Sequence, residues 1–201
     1  MAKDEKGKLV SSVIIRELTP ELLEDYLSFF DKDAFMDNPE WAGCYCMYYH
    51  FLGTYKEWEA RSPSENRAAV SELILRGKAH GLLAYIDEKL VGWCHAAPRT
   101  ALPKLDTLQG LGVDDAEQVG SIVCFVVAAP FRRRGIAHRL LEAACDMFIR
   151  WGLSIAEAYP HKKAKTDAEN WRGPLSLYLS AGFKPFRELN NRIIVRKRLR
   201  E

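Results

Sequence analysis

The sequence contains no apolar run that approaches the roughly 20 residues of a membrane-spanning helix. Its first residues, MAKDEKGK, are polar and lack the apolar centre of a signal peptide. We expect residues 1–12 to form a frayed or disordered start. Together these absences predict a cytoplasmic protein without a membrane partner.

The sequence also lacks an excess of either charge. Its 29 lysine and arginine residues nearly balance its 27 aspartate and glutamate residues, which leaves a net charge of +2. Proteins dedicated to nucleic acids carry a clear basic excess, so this balance argues against a nucleic-acid partner. With 201 residues and 48% hydrophobic content the chain can bury one sizeable core. We therefore predict a single domain over residues 13–201.

The number and spacing of the cysteines predict neither a disulfide framework nor a metal site. They are five in number, and most are embedded in apolar sequence, which is typical of reduced thiols. Cys44 and Cys46 lie near His50, but this set lacks a fourth ligand and the usual spacing of two residues between paired cysteines. We therefore expect no metal.

Both of the best-known glycine-rich phosphate motifs are missing, since the sequence has no G-x-x-x-x-G-K-S/T and no G-x-G-x-x-G. A different arrangement is present. The apolar run Ile122–Val127 predicts a buried strand, and the turn Arg132–Ala137 follows it. From Ile136 onward apolar residues recur at helical spacing. A helix N-terminus offers free backbone N–H groups, so this strand, turn and helix predict an anion-binding site.

The residue pattern of this turn resembles that of a known family. Arg132-x-x-Gly135-x-Ala137 resembles the Arg/Gln-x-x-Gly-x-Gly/Ala turn of the GNAT superfamily of N-acetyltransferases. Downstream, Tyr178-x-x-x-Gly182-Phe183 is similar to the Tyr-x-x-x-Gly-Phe motif of the same superfamily. The resemblance covers residues 13–199, although its specific motifs are confined to 122–137 and 178–183.

The order of predicted elements agrees with that fold. We expect a first strand at 13–18, a helix over 19–30 that Thr19 caps, and a second helix that Ser62 opens. A β-hairpin at 81–97, a loop at 99–118, a strand at 153–159 and a final antiparallel pair within 183–199 follow. This pattern predicts an α/β domain with a GNAT-like mixed, mostly antiparallel central sheet and helices on both faces.

The resemblance implies acetyl-CoA as co-substrate, with no metal. Phe125, Val126 and Val127 would then form the strand edge that pairs with the amides of the pantetheine arm. The turn residues would surround the pyrophosphate, namely Arg132, Arg133, Arg134, Gly135, Ile136 and Ala137. The alternative is that the three arginines only form a solvated turn.

Two residues are candidates for proton transfer. By the resemblance Tyr178 would be the general acid that protonates the leaving thiolate, and its alternative is a core tyrosine on an amphipathic helix. Glu157 is our candidate general base, because burying a carboxylate inside an apolar strand is unfavourable and its presence there calls for an explanation. A structural ion pair or a strand-end position would explain Glu157 equally well. His95, His138 and His161 are weaker candidates.

Two segments leave questions open. Where many family members have an asparagine that helps to hold the cofactor, this chain has Trp171, with Asn170 beside it. We assign that contact to neither residue. The aromatic segment 35–55 either covers the core or forms a wall of the acceptor pocket.

The resemblance implies an acetyl-CoA-dependent N-acetyltransferase. We expect it to move the acetyl group to a primary amine of a small molecule, by direct attack in a ternary complex. A peptide or protein amine, or an aminoacyl-tRNA, is the alternative acceptor. A non-catalytic acyl-CoA sensor of the same fold is the alternative outside enzymes. Because family members are often dimers, the resemblance also allows a homodimer.

Overall fold

The structure is a computed structural model that describes residues 12–166 and 168–199. Of the segment predicted to be frayed, residues 1–11 lie outside the described residues, and the assignment of 13–201 to one domain stays a prediction. The strands are β1 (Ile14–Glu17), β2 (Leu82–Ile86), β3 (Lys89–Pro98), β4 (Val119–Val127), β5 (Ile155–Ala158), β6 (Lys184–Glu188) and β7 (Ile193–Arg198). The α-helices are α1 (Leu23–Lys32), α2 (Tyr55–Glu59), α3 (Pro63–Leu75), α4 (Lys104–Thr107), α5 (Ile136–Arg150) and α6 (Leu175–Ser180).

Within the described residues the strands form one sheet in the order β1-β2-β3-β4-β5-β7-β6. Neighbouring strands are antiparallel except β4 and β5, which are parallel. The prediction of a mixed, mostly antiparallel sheet is confirmed. Helix α5 supplies the crossover between β4 and β5, because a parallel pair cannot be joined by a tight turn.

Helices cover both faces of the sheet, as predicted. The apolar side of α5, which includes Ile136, Leu140 and Phe148, packs with residues of β2, β3 and β4 in one buried cluster. On the opposite face α1 and α3 pack against β2, β3 and the end of β4. Strands β2 to β5 are therefore largely buried, whereas every residue of β6 is exposed.

The end of β4 separates from its parallel neighbour. β4 pairs with β5 only from Val119 to Ile122, although β4 itself continues to Val127. A one-residue register shift on the other side, between β3 and β4, falls at the same level as this separation. Such a bulge increases local twist and bends the strand. The gap beside the second half of β4 is where the candidate site lies.

Two local expectations have different outcomes at the helix starts. Ser62 and Glu65 form the reciprocal hydrogen bonds of a capping box at the start of α3, as the sequence indicates. Thr19, by contrast, makes no side-chain capping bond, and the first turn of its helix is a 3-10 turn at Pro20–Leu22. The prediction of a threonine cap was wrong, because the tighter turn closes the chain through the backbone of Thr19 instead.

Residues 99–118 are more ordered than their glycine and proline content indicates. Helix α4 and short 3-10 turns at Arg99–Ala101 and Ala116–Gln118 lie within this stretch. They bury Leu102, Leu105 and Leu111 against the sheet in a third cluster. Packing against residues that are distant in the sequence orders this segment, and local composition does not predict such contacts.

The described part of the chain holds no helix with the length and apolarity to cross a bilayer.

Candidate functional site

A cavity of about 910 Å³ opens beside the second half of β4. Its walls come from four parts of the chain: the end of β4, the turn before α5, the aromatic segment with α2, and the loop that leads into α6. Most residues predicted to hold the cofactor line it, namely Phe125, Val126, Val127, Arg132, Arg133, Gly135, Ile136 and Ala137. The cavity therefore joins the predicted phosphate turn to the predicted acceptor wall.

The N-terminus of α5 faces this cavity with free backbone donors. The first bond of the helix runs from the Arg139 N–H to the Gly135 carbonyl at 3.1 Å, so the amides of Ile136, Ala137 and His138 precede the helical ladder. Gly135 has a φ of +77°, and an added Cβ would meet nothing within 4 Å. Its backbone angle, and not close packing inside the protein, is what requires a glycine here.

The arginines of this turn have different surroundings. Arg132 donates from Nε to the Val127 carbonyl at 2.9 Å, and its Nη atoms bond both oxygens of Asp37. This bonding, helped by the nearby charge, lowers the pKa of Asp37. Arg134 lies over the Phe131 ring at 5.3 Å and does not line the cavity, so its predicted cofactor contact is not supported. Arg133 lines the cavity with a φ of +61°.

One of the backbone amides on the open edge of β4 already has a hydrogen-bond partner. The Phe125 N–H donates to the carbonyl of Trp171 at 2.6 Å, so this amide is not available to pair with pantetheine as predicted. The Ala128 N–H bonds the Val91 carbonyl of β3 at 3.0 Å. Because strand amides alternate in direction, the Val127 N–H points to the same open side as that of Phe125. Pairing of pantetheine with this edge stays a prediction, and it now concerns the Val127 N–H, because the Phe125 N–H is occupied and the Val126 N–H points toward β3.

Tyr178 lies just behind the cavity wall. It is buried on α6, with its ring 6.4 Å from the ring of Phe125 and 5.3 Å from that of Phe183. Its hydroxyl donates to the carbonyl of Arg172 at 2.5 Å. Gly173, at a φ of +81°, lies over this hydroxyl, and a Cβ there would be 2.9 Å from the oxygen. Burial raises the pKa of Tyr178 well above its ordinary value, which keeps the phenol protonated.

Glu157 does not face the cavity, and its predicted role as general base is corrected by the structure. It is fully buried, accepts from Tyr159 Oη at 2.5 Å, and accepts from Arg196 Nε at 2.6 Å. A second basic group, Arg99 Nη1, lies 3.8 Å from Glu157 Oε1. Both carboxylate oxygens are engaged, so Glu157 is the centre of a structural ion network on the face opposite α5.

The aromatic segment serves both purposes that its sequence allows. Tyr45, Cys46 and Met47 belong to the core under α1 and α3. The rings that face the cavity are those of Phe35, Trp41, Tyr48, Tyr49, Tyr55 and Trp58, the last two from α2. Some rings therefore cover the core and others line the cavity, and the role of that cavity as the acceptor pocket stays a prediction.

The thiols of this wall lie close to each other. Cys46 Sγ is 3.4 Å from Cys124 Sγ of β4, and the indole Nε1 of Trp93 donates to Cys46 Sγ at 3.2 Å. Among residues 12–166 and 168–199, no group of three or more His, Cys, Asp or Glu side chains is arranged to hold a metal ion.

The histidine candidates are spread over the molecule. His95 is buried in β3, stacked on His50 at 5.2 Å, and its Nδ1 has no partner in the described residues. His138 lines the cavity next to the α5 amides. His161 contacts the guanidinium of Arg172 through Nε2 at 3.0 Å. Of these three histidines, only His138 is among the residues that line the cavity.

The loop 168–174 supplies cavity residues to which the sequence assigned no role. Asn170, Trp171 and Arg172 line the cavity, and Arg192 reaches it from the hairpin between β6 and β7. Asn170 itself donates to the Thr166 carbonyl at 3.2 Å. The only signal in the sequence was the departure at Trp171 from the family pattern, because the loop has no periodicity to report its long-range contacts.

Known families and structures were compared with the chain. The model of the acetyltransferase (GNAT) family matches residues 21–170. No curated protein matches the chain.

Several solved structures share the fold at low identity. The chain resembles the PaiA N-acetyltransferase of Thermoplasma acidophilum in complex with coenzyme A, at 16% identity and a TM-score of 0.56, over 93% of this chain and 99% of that one. An N-acetyltransferase from Staphylococcus aureus Mu50 matches at 16% identity and a TM-score of 0.57, over 94% and 100%. A putative acetyltransferase from Salmonella typhimurium with its cofactor acetyl-CoA matches at 14% identity and a TM-score of 0.53, over 94% and 95%.

Proposed function

The chain belongs to the GNAT family and is an acetyl-CoA-dependent acyltransferase, and from this premise we propose that it acetylates the primary amine of a small molecule. The amine attacks the thioester directly in a ternary complex. The observation that carries the proposal is the single cavity that runs from the α5 amides along β4 to the aromatic wall.

Each part of this cavity has a distinct task. The N–H groups of Ile136, Ala137 and His138 bind the pyrophosphate, helped by the positive end of the α5 dipole. The Val127 N–H orients the pantetheine arm along β4. Acetyl-CoA supplies the activated thioester carbonyl and a thiolate leaving group. The aromatic wall holds the acceptor opposite that carbonyl.

Tyr178 returns the proton in this scheme. Attack of the amine nitrogen forms the new C–N bond, and collapse breaks the C–S bond and releases a thiolate that needs a proton. A buried phenol with a raised pKa holds its proton until such a base is next to it. Because the hydroxyl now bonds the Arg172 carbonyl, this hydrogen bond must be exchanged for one to the sulfur.

In this scheme a chain of water molecules accepts the proton that the attacking amine must lose. Glu157 is enclosed in its ion network, so no described carboxylate lies on the β4 edge of the cavity. The cavity carboxylates Glu40 and Glu59 are exposed on its rim. A water chain from the amine to this rim therefore carries the proton to solvent.

Internal pairing of the basic residues favours a small acceptor over aminoacyl-tRNA. In the C-terminal basic stretch, Arg196 pairs with Glu157 and Asp115, and Arg192 faces the cavity. These charges are therefore not displayed as a phosphate-binding surface. The rings and the loop 168–174 also enclose the acceptor end, which suits a small amine better than a folded protein surface. Assembly as a homodimer and location in the cytoplasm stay predictions.

Substitution of Tyr178 by phenylalanine tests the proposal against a non-catalytic acyl-CoA sensor. We expect Tyr178→Phe to lower kcat by about 100-fold or more, because general acid catalysis contributes that much, while the affinity for acetyl-CoA stays within about twofold. The measurement is release of CoA in the presence of a panel of primary amines, with binding followed by calorimetry.

Tyr26→Phe is the matched control. Tyr26 is also buried and also donates to a backbone carbonyl, that of Tyr45 at 2.8 Å, but it belongs to the core cluster under α1 and α3. Tyr178, by contrast, contacts Phe125 and Gly173 of the cavity wall. Both variants lose one buried hydrogen bond, so a difference in kcat between them reports catalysis and not stability. Acetyl-CoA binding without turnover of any amine, unchanged in Tyr178→Phe, would favour the sensor.

A further inference from the structure

Two guanidinium groups face the acceptor end of the cavity without a carboxylate partner. Arg172 and Arg192 both line the cavity. Over residues 12–166 and 168–199, no ion pair within 4.0 Å joins either of them to an acidic side chain. The nearby acids are used elsewhere, since Glu188 pairs with Lys162 and Glu169 accepts from the Lys165 amide.

Arg172 is buried and held in place by neutral groups. The residue as a whole is 5% exposed to solvent. Nε donates to Tyr49 Oη at 3.2 Å, Nη1 contacts His161 Nε2 at 3.0 Å, and the guanidinium carbon lies 3.5 Å from the centre of the Trp171 ring. These contacts fix the orientation of the charge and leave its Nη2 group without a described hydrogen-bond partner.

The environment is one of uncompensated positive charge. Burial lowers the pKa of Arg192, and the charge of Arg172 lowers it further. Burial lowers the pKa of His161, and the charges of Arg172 and then Arg192 lower it further, against an opposing effect of Glu169. Arg172 is buried and Arg192 is half-buried, and a cation so placed without a counter-ion destabilises the fold unless another group compensates its charge. A bound anion does so, and a guanidinium pairs well with a carboxylate or a phosphate.

We propose that Arg172 and Arg192 bind a carboxylate of the acceptor, so that the preferred substrate is an amino acid or another amine with a nearby carboxylate. This inference rests on the proposed function. The Arg172 carbonyl accepts from Tyr178 and the adjacent Trp171 carbonyl accepts from Phe125. A carboxylate on the Arg172 side chain therefore holds an amine one or two carbons away next to the reacting edge of β4. Tyr48 and Tyr49 then face its side chain.

Amines that differ only by the carboxylate test this inference. The probes are phenylalanine against 2-phenylethylamine and tyrosine against tyramine, with acetyl-CoA saturating. We expect kcat/KM to favour the amino acid of each pair by at least about tenfold, the value of a hydrogen-bonded charge. Arg192→Gln should remove this preference by lowering only the amino-acid rate. Arg198→Gln, an exposed arginine on β7 outside the cavity, should keep it.

A binding measurement tests the carboxylate site independently of whether the protein acetylates amines. N-acetylphenylalanine should bind more tightly than N-acetyl-2-phenylethylamine by calorimetry, and Arg192→Gln should abolish the difference. If no amine is acetylated, the proposed function fails, and this titration still decides the carboxylate site. Equal rates within both pairs together with equal binding of the two products overturn the inference.

The cofactor is the competing occupant of the two arginines. CoA should bind the wild type and Arg192→Gln with the same affinity. A tenfold loss in the variant would assign Arg192 to a phosphate of CoA and overturn the assignment to the acceptor.

Discussion

At the scale of single residues, the two buried arginines of the described chain, Arg99 and Arg172, have different partners. Arg99 and Glu157 are fully buried and share a network with Arg196, in which the hydroxyl of Tyr159 donates to Glu157 and accepts from Arg99 at 3.0 Å. Each charge there has a partner. Arg172 is buried as well but bonds only neutral side chains. A charge that is compensated inside the fold supports the fold, and one that is not points to a ligand.

Glu157→Gln separates a structural role from a catalytic one. We expect the variant to lose about 3 kcal/mol of unfolding free energy, because Arg99 and Arg196 keep their buried charges without the carboxylate. Its kcat per folded molecule should stay within about twofold of the wild type. Urea unfolding and the amine assay give the two quantities. Glu188→Gln removes an exposed carboxylate paired with Lys162, and should cost less than about 1 kcal/mol. A stable Glu157→Gln protein without turnover would restore Glu157 as general base.

At the scale of elements, the parts that the sequence predicts are those with a local signal. The start of α3 has its capping residues at the right spacing, and the period changes from β4 to α5 across a turn with a glycine. The occupied edge of β4 has no such signal. It depends on the bond from Phe125 to Trp171, which joins residues 46 positions apart in the numbering. Loop contacts of that range are fixed by tertiary packing, so neither periodicity nor composition could predict them.

The aromatic segment illustrates the same limit within one element. Tyr45 and Cys46 adopt left-handed backbone angles, with φ of 45° and 49°. Non-glycine residues rarely do so, and this turn is what places some rings in the core and others on the cavity. The sequence predicted the aromatic density and both uses of it, but it could not assign individual rings to either side.

At the scale of the whole molecule, the buried His95 and the half-buried His50 make stability depend on pH. Burial lowers the pKa of His50 to about 4, with a smaller effect of His80. His95 is lowered well below its ordinary value, first by burial and then by His50. Below pH 6.5 the unfolded chain therefore binds protons that the folded chain does not, and stability falls as the pH falls. The affected range extends from about 6.5 downward through about 4.

For His50 alone this effect removes about 2 kcal/mol of unfolding free energy between pH 7 and pH 5. Urea unfolding at the two pH values measures it. His50→Gln should lose that part of the pH dependence, while His138→Gln, a half-exposed histidine beside Glu142, should retain it. Equal pH dependence in the wild type and His50→Gln would contradict the buried, neutral state of His50.

The central claim is that acetyl-CoA binds with its pyrophosphate on the α5 amides, and calorimetric titration of Gly135→Glu tests it most directly. Gly77→Glu is the matched control, because Gly77 also has a left-handed φ, at +64°, and open space around it, but lies at the end of α3 outside the cavity. Both variants pay a similar backbone cost, about 1 kcal/mol. We predict saturable binding of acetyl-CoA to the wild type and Gly77→Glu, and none to Gly135→Glu, whose carboxylate would repel the phosphates. Unchanged affinity in Gly135→Glu, or no binding to the wild type, would contradict the account.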